Sequence, residues 1–217
     1  MFVGRKMTRD IVTVTKDTSV LKVSNLLKEH NIGQVPVVEG KKLIGIISDK
    51  DIRENSASPA STLSVHELNY LLSEMKASQI MTRKVITTTP GTAIEEAARK
   101  INQSHVNSLP VVAGDELVGI ITTCDILNVF VDFMGIDTES SRVELTLSND
   151  VGEIEKVVRL INDMGLKIVS IVSSVDKKRE NARTTLVRVA CDNPEDLCER
   201  LDTAGFKCTR EYKVDRE

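Results

Sequence analysis

The chain has 217 residues, of which 41% are hydrophobic, 28% are charged and 3% are aromatic, and its formal net charge is −3. This composition is typical of a soluble globular protein with room for two compact domains. The acidic balance and the lack of tryptophan disfavour nucleic-acid binding, which usually needs a basic surface and aromatic stacking platforms. No apolar run approaches the roughly 18–20 residues that cross a bilayer, and Met1 opens no signal peptide, so we expect a cytoplasmic protein.

One segment of the chain is repeated, without gaps, 74 residues further along. Residues 7–52 and 81–126 share 16 identities in 46 positions. The identities cluster in three motifs, Met-Thr-Arg, Pro-Val-Val and Gly-Ile-Ile, and the last is followed by Asp51 or Asp125. Two copies of so short a unit predict a pseudo-symmetric pair, and a cleft between the copies is a natural ligand site.

The same order of elements is predicted in both repeats, namely a strand, a helix, a two-strand hairpin and a second helix. In the first repeat we predict a strand over 11–14, a helix that begins at Ser19 and is ended by Gly33, a hairpin over 35–47 and a helix from Ser48. In the second we predict a strand over 85–88, a helix over about 92–104, a hairpin over 109–121 and a helix from Thr122.

The remaining sequence predicts a linker and a third folded segment. Residues 56–61 have linker composition, and a capping box from Ser64 to Glu67 opens a helix. Its predicted apolar face consists of Val65, Leu68, Leu71, Leu72 and Met75. From about 142 the pattern is strand, helix, strand, strand, helix, strand, with Gly165 and Gly205 just past the helices. This βαββαβ order predicts a ferredoxin-like antiparallel sheet with both helices on one face.

These motifs resemble those of cystathionine β-synthase (CBS) domains, and two in tandem resemble a Bateman module. The C-terminal third resembles an ACT domain, through its βαββαβ order and its turn from Asn149 to Gly152. The whole order, with a linker that reads Glu-Leu-Asn-Tyr-Leu-Leu from Glu67, resembles the AcuB family of acetoin-utilisation proteins. The implied fold class is α+β, a pair of βαββα CBS repeats followed by a ferredoxin-like ACT domain. The implied domains are 1–55 and 77–133 for the CBS repeats, 56–76 for a linker with a helix, and 139–217 for the ACT domain.

A hydroxyl stands three residues before a carboxylate in each repeat, at Ser48 and Asp51 and again at Thr122 and Asp125. One interpretation is a helix capping box, which stabilises a helix by about 1 kcal/mol. The other is that the carboxylate accepts hydrogen bonds from a ribose diol while the helix N-terminus faces a phosphate. Both can hold, and their repetition after identical strands favours a nucleoside site.

In CBS pairs, each cleft takes its ribose acid from one repeat and much of its adenine wall from the other. Carried over to this chain, the resemblance implies a first cleft formed by Ile46, Ser48, Lys50, Asp51, Arg83, Val106 and Asn107. It implies a second cleft formed by Ile120, Thr122, Asp125, Arg9, Ile32 and Gly33. Gln34 and Ser108 stand where some members carry basic residues, which favours AMP- or adenosine-like ligands over triphosphates. Lys50 is either a phosphate ligand or a solvated surface lysine.

The leading interpretation is a regulatory protein that senses an adenosine-type nucleotide, such as AMP, ADP or ATP, and controls an unidentified metabolic partner. By resemblance, that control concerns acetoin utilisation. One alternative is a structural adaptor with non-functional clefts. A remote one is a small enzyme that uses the nucleotide, but we find no activated nucleophile, glycine-rich phosphate loop or dinucleotide fingerprint. The apolar helix faces and the exposed sheet edge predict a homodimer.

Other sites are less strongly indicated. In the ACT part, Asn149, Asp150 and Gly152 occupy the positions where related domains receive a small amino acid, although an Asx turn with a helix cap is the favoured interpretation. The four cysteines form no Cys-x-x-Cys pair and the histidines match no ligand spacing. We therefore expect neither a metal site nor a bound cofactor, and we expect the cysteines to be ordinary core or surface residues.

Overall fold

The computed structural model describes residues 1–56, 64–177 and 179–209, except for the side chain of Val65. Contacts divide the chain into two units, Met1–Leu127 and Asn128–Glu217. The described residues leave out 57–61 of the segment with linker composition. They also leave out 210–212 of the last predicted strand, which covers 206–212. Within the described residues, no helix combines the length and the apolar character that crossing a bilayer requires.

The first unit contains both repeats. Its helices are α1 (Val20–Glu29), α2 (Asp49–Asn55), α3 (Val65–Glu74), α4 (Ala77–Ile80), α5 (Ile94–Ser104) and α6 (Thr123–Met134), and α6 continues past the boundary of the unit. Its strands are β1 (Gln34–Glu39), β2 (Lys42–Ser48), β3 (Ser108–Ala113) and β4 (Glu116–Thr122), and a short 3-10 turn covers Val3–Arg5. The helices and hairpins of both repeats are therefore those that the sequence predicts, with ends that differ by a few residues.

Two details of the prediction are wrong. Gly33 does not end the first helix, because α1 stops at Glu29 and Asn31 supplies the left-handed turn, with φ of 50°. His105 takes the same conformation after α5, with φ of 53°. The predicted strands 11–14 and 85–88 form only single bridges, between Val14 and Val37 and between Thr88 and Val111. Each segment leaves the hairpin at once because a tight turn, stabilised in the first repeat by the Thr18 hydroxyl, follows it.

The two hairpins form one four-stranded sheet in the order β1-β2-β4-β3. They meet where Lys42 pairs with Glu116, and the Lys42 ammonium lies 2.9 Å from the Asp115 carboxylate. At the opposite end of the hairpins, the Ser108 hydroxyl donates a hydrogen bond of 3.1 Å to the Gln34 side-chain oxygen. Both pairs join the two repeats, and the open end of the hairpins is where the predicted clefts lie.

The two repeats exchange their opening segments. Thr8 and Ile120 form two mutual backbone hydrogen bonds of 2.9 and 3.0 Å, and Thr82 and Ile46 form the equivalent pair at 2.9 and 3.1 Å. Each segment therefore adds to the hairpin of the other repeat. The methionine of each Met-Thr motif packs on the glycine of the opposite Gly-Ile-Ile motif, so the two motifs form one structural unit.

Helix α3 covers α1 of the first repeat. Leu72 is buried in the core there, and Leu68 and Met75 pack against it, whereas Leu71 is 44% exposed. The predicted apolar face includes Leu71, but the face that contacts α1 is narrower than the apolar pattern and leaves this side chain exposed. The buried part of this core consists of Val14, Val20, Val23, Leu27, Val35, Val37, Ile47, Ile52, Leu72, Ala77, Ile80 and Met81.

The second unit has the predicted βαββαβ order. Its elements are β5 (Ser141–Ser148), α7 (Glu153–Asp163), β6 (Lys167–Val175), β7 (Ala182–Ala190), α8 (Pro194–Thr203) and β8 (Lys207–Thr209). The sheet order is β6-β7-β5-β8 with antiparallel neighbours, which is the ferredoxin-like arrangement. Alternate residues of β5, such as Val143 and Leu145, share one core with Ile161 of α7 and Leu201 of α8.

A disulfide joins α8 to β8. It links Cys198 and Cys208, whose Cα atoms are 5.7 Å apart. The expectation that the cysteines are ordinary unpaired residues is therefore wrong for these two, whose proximity depends on the tertiary fold and not on sequence spacing. Cys124 and Cys191 are free.

Candidate functional site

The two repeated hydroxyl–carboxylate pairs form capping boxes at the starts of α2 and α6. In α2, the Ser48 amide and hydroxyl donate to Oδ2 of Asp51 at 2.7 and 2.6 Å, and the Asp51 amide donates to the hydroxyl at 3.2 Å. In α6 the same three bonds join Thr122 and Asp125 at 2.8, 2.7 and 3.2 Å. Within the described residues, Oδ1 of each carboxylate accepts no hydrogen bond. The cap therefore fixes each acid and leaves one of its oxygens for another partner.

A cavity of about 550 Å³ lies between the two repeats. This volume is in the range of small-molecule sites. The first repeat lines it with Thr8, Asp10, Ile11, Val12, Asn31, Ile32, Gly33, Gln34 and Pro36. The second repeat lines it with Asn107, Ser108, Ile120, Thr122, Thr123 and Cys124. Aliphatic side chains and short polar side chains thus share the wall, and Asp10 is the only charged residue among those that line it.

Most residues predicted for the second cleft come together at this cavity. Ile32, Gly33, Ile120 and Thr122 lie on its wall, whereas Asp125 and Arg9 are not among the lining residues. The Arg9 guanidinium instead donates a 3.0 Å hydrogen bond to the Gly4 carbonyl. Asp125 remains adjacent to the wall through its three hydrogen bonds to Thr122.

Apart from Lys50, the residues predicted for the first cleft lie 74 residues along the chain from those predicted for the second. Ile46 is paired with Thr82, next to Arg83, whose guanidinium donates to the Ser78 carbonyl at 3.2 Å. Lys50 has a side chain that is 74% exposed, and its ammonium lies 3.5 Å from the Glu54 carboxylate. Val106 is half-buried in the segment before β3. Asn107 was assigned to the first cleft but lines the cavity of the second, where its carbonyl accepts hydrogen bonds from Thr123.

Sequence reasoning missed several residues of the cavity wall. These are Thr8, Asp10, Ile11, Val12, Asn31, Pro36 and Thr123. Most of them are neighbours of predicted residues, so the segments were identified and the side chains were not. Cys124 stands directly before Asp125, as Lys50 stands before Asp51, so the sequence does place it beside the second acid. The signal that could have drawn attention to Asp10 is the 74-residue offset, because its partner Lys84 has the opposite charge.

The candidate ligand loop of the second unit is closed by local hydrogen bonds. Asp150 accepts a 2.6 Å hydrogen bond from the Ser148 hydroxyl, and this bond, helped by Asn181, lowers the pKa of the Asp150 carboxyl. The Asn149 amide donates to the Asn181 carbonyl at 3.1 Å. Gly152 precedes α7 with φ of 90° and without a side-chain cap. The loop has the geometry of a turn in which the Asp150 side chain bonds to Ser148 and does not cap the helix.

Comparison with known families identifies both repeats. The model of the CBS domain matches residues 3–58 and 77–132, which together make up just over half of the chain. Among curated proteins, the CBS domain-containing protein YhcV of Bacillus subtilis is 27% identical over 120 residues, which are 55% of this chain and 79% of that protein. An inosine-5'-monophosphate dehydrogenase of Korarchaeum cryptofilum is 31% identical over 121 residues, which are 54% of this chain but only 22% of that enzyme.

Solved structures resemble somewhat less than two thirds of the chain. A Vibrio cholerae protein provisionally assigned to acetoin utilization, AcuB, superposes with a TM-score of 0.53 at 28% identity, over 65% of this chain and 98% of that chain. The CBS domain pair of protein MJ0100, solved in complex with 5'-methylthioadenosine and S-adenosyl-L-methionine, superposes with a TM-score of 0.50 at 26% identity. That match covers 61% of this chain and 97% of the other.

Proposed function

We propose that this chain, which belongs to the CBS-domain family, is a regulatory protein that senses an adenosine-type nucleotide between its two repeats. The observation that carries the proposal is the cavity of about 550 Å³ formed by equivalent segments of both repeats, beside a capped carboxylate with one unused oxygen. The proposal is supported by MJ0100, whose CBS pair binds 5'-methylthioadenosine and S-adenosyl-L-methionine.

The wall of the cavity suits a nucleoside. Ile32 of the first repeat and Ile120 of the second both line the cavity, so each offers aliphatic surface on which a flat base can pack. We assign Asp125, which is hydrogen-bonded to the wall residue Thr122, the role of accepting a hydrogen bond from a ribose hydroxyl through Oδ1, and the charge on the acid would strengthen that bond. Asn107 and Thr122 supply further polar groups at the wall. Each group thus has a role in recognition, and none needs to react.

Calorimetric titration with adenosine and AMP tests the proposal. Asp125→Asn should weaken binding at its cleft by about 1.5–3 kcal/mol, since a hydrogen bond to a charged group is lost. The same reasoning applies to Asp51→Asn in the first cleft. Glu67→Gln is the matched control, because Glu67 forms the same capping box with Ser64 at 2.7, 2.8 and 3.3 Å but belongs to α3, outside the cavity wall.

The alternatives give different results. If neither ligand binds wild-type protein or raises its melting temperature at saturating concentration, the clefts are non-functional and an adaptor role is favoured. If Glu67→Gln weakens binding as much as Asp125→Asn, the acids act only through helix capping. Turnover of AMP or adenosine during incubation would indicate an enzyme.

We further propose that the second unit is an ACT domain and that the chain acts on a metabolic partner, with acetoin utilisation suggested by its likeness to AcuB. The ferredoxin-like sheet order supports the domain assignment. Calorimetric titration of the protein with small amino acids tests the domain assignment. If they bind at the loop from Asn149 to Gly152, Asp150→Asn should weaken that binding.

We infer that the chain forms a homodimer. Phe130 and Phe133 of α6 are 46% and 54% exposed, and β6 is an outer strand of its sheet, so both leave surface that a second copy can cover. Sedimentation at micromolar concentration should show a species of twice the chain mass. A single species at 24.0 kDa would contradict the inference.

A further inference from the structure

The two pseudo-symmetric clefts carry opposite charges at equivalent positions. Asp10 lines the cavity of the second cleft, and no lysine or arginine is among the residues that line it. The position 74 residues later is Lys84, which the pseudo-symmetry of the repeats assigns to the first cleft. Cys124 also lines the cavity, and its equivalent in the first cleft is Lys50. At these two positions the second cleft has an acid and a neutral thiol where the first has two lysines. Lys50 is paired with Glu54 at 3.5 Å. The lining residue Thr123 has Asp49 as its equivalent in the first repeat, and Asp49 is paired with Arg53 at 3.3 Å, so Lys84 is left as the counterpart of Asp10.

The arginines of the two Met-Thr-Arg motifs do not change this difference. Arg9 donates to the Gly4 carbonyl at 3.0 Å and Arg83 donates to the Ser78 carbonyl at 3.2 Å, so both are held in the same way. Within the described residues, Asp10 and Lys84 are exposed and neither is held in an ion pair. Arg9 and Arg83, like Asp51 and Asp125, are matched between the repeats, so the difference in charge between the clefts comes from Asp10 and Lys84.

We propose that the two clefts select different ligands. The second cleft takes an adenosine derivative whose 5' substituent is neutral or cationic, and the first takes a phosphorylated adenosine such as AMP. Like charges repel across the short distances of a cleft, so the Asp10 carboxylate disfavours a phosphate dianion that the lysines of the first cleft attract. This inference rests on the proposed function and adds the charge class of each ligand.

Cys124 provides a reporter for the second cleft alone. Its free thiol is exposed on the cavity wall, so a bound ligand shields it from alkylation, whereas the equivalent position of the first cleft has no thiol. Iodoacetamide alkylates the thiol by forming a sulfur–carbon bond as iodide leaves. The rate of this reaction at Cys124 can be measured by peptide mass spectrometry. Adenosine and AMP are the probes, each titrated separately.

In wild-type protein, adenosine should protect Cys124 at a concentration about fivefold or more below that of AMP, the order expected for repulsion between like charges in a solvated cleft. Asp10→Lys should remove or invert this preference, and Asp10→Asn should reduce it. Asp17→Lys makes the same charge change at an exposed position outside the cavity wall and should leave the preference unchanged. Lys84→Asp should weaken the calorimetric binding of AMP about fivefold while protection of Cys124 by adenosine stays the same.

The outcomes separate this inference from the proposed function. If AMP protects Cys124 at the same or lower concentration than adenosine, the sorting by charge is wrong although the clefts bind nucleosides. If both ligands bind by calorimetry and neither protects Cys124, the cavity of the second cleft is not the site, and the inference is again overturned. If neither ligand binds at all, the proposed function itself fails.

Discussion

Replacement of Gly119 by alanine tests whether the exchanged Met-Thr segments hold the repeats together. A Cβ at this position would lie 2.5 Å from Sδ of Met7, 2.9 Å from its Cγ and 3.1 Å from the Thr8 carbonyl oxygen. The methionine can move, but the Thr8 carbonyl accepts a hydrogen bond from Ile120 at 3.0 Å and cannot shift without stretching it. The extra methyl group therefore displaces the segment itself.

The magnitude follows from two opposing terms. Overpacking a well-packed contact costs about 1–3 kcal/mol. Alanine recovers about 0.5–1 kcal/mol because glycine loses more conformational entropy on folding. The net loss of unfolding free energy for Gly119→Ala is thus about 0–2.5 kcal/mol, and we expect the upper half of that range because the Thr8 carbonyl cannot move away freely. Gly45→Ala should cost less, because its three nearest contacts, at 2.6, 3.0 and 3.2 Å, are all side-chain atoms of Met81.

Hydrogen exchange in peptides that cover β4 measures the stability of the first unit separately from the second. In the double variant Gly119→Ala/Met7→Ala, the shortened side chain leaves room for the methyl group, so the two losses should not add and the coupling should be about 1 kcal/mol. Gly119→Ala/Met81→Ala is the matched control, because Met81 packs on the other glycine. Additive losses in both double variants would refute the contact as the cause.

Three further predictions concern other parts of the chain. Reduction with dithiothreitol should lower the melting temperature of the wild type and not that of Cys208→Ser, since a cross-link over 10 residues contributes about 2.7 kcal/mol. Equal melting temperatures for the oxidised and reduced wild type would contradict this prediction. Hydrogen bonds from Ser64 lower the pKa of Glu67 below its ordinary value of 4.5, so its stabilising contribution is present above that pH and lost as the pH falls further. Glu67→Gln should therefore reduce the melting temperature more at pH 7 than at pH 3, and a pH-independent difference would disprove this. Lys50→Ala should weaken AMP more than adenosine in calorimetric titration, and equal losses would show that Lys50 serves only its surface ion pair with Glu54.

The sequence predicted the elements of each repeat because local chemistry determines them. The apolar spacing of Val20, Val23 and Leu27 defines α1, and all three are buried. Glycine between two apolar runs predicts the hairpin turn, where Gly40 has φ of 61°. The capping boxes of α2 and α3 were visible because both partners lie three residues apart. Each of these patterns involves residues only a few positions apart in the sequence, so it can be recognised without knowledge of the tertiary fold.

The residues that line the site were harder to predict from the sequence, because they are brought together by contacts between distant segments. Nothing in the local pattern of residues 7–10 shows that they pack on β4 and place Asp10 on the cavity wall. The position of Asn107 likewise depends on how the second hairpin meets the first, through the Lys42–Glu116 pairing and the Ser108–Gln34 hydrogen bond. The Cys198–Cys208 pair depends on α8 crossing beside β8.

The exchange of opening segments means that a repeat of the sequence is not a folding unit of the molecule. Residues 1–56 contain the hairpin of the first repeat but carry Met7, which packs on Gly119, and they lack Met81, which packs on Gly45. A cut between residues 56 and 64 would therefore leave two fragments that each expose an unfinished sheet edge. Such fragments would complement one another as two halves of a split protein do, and the cleft would exist only after they reassociate.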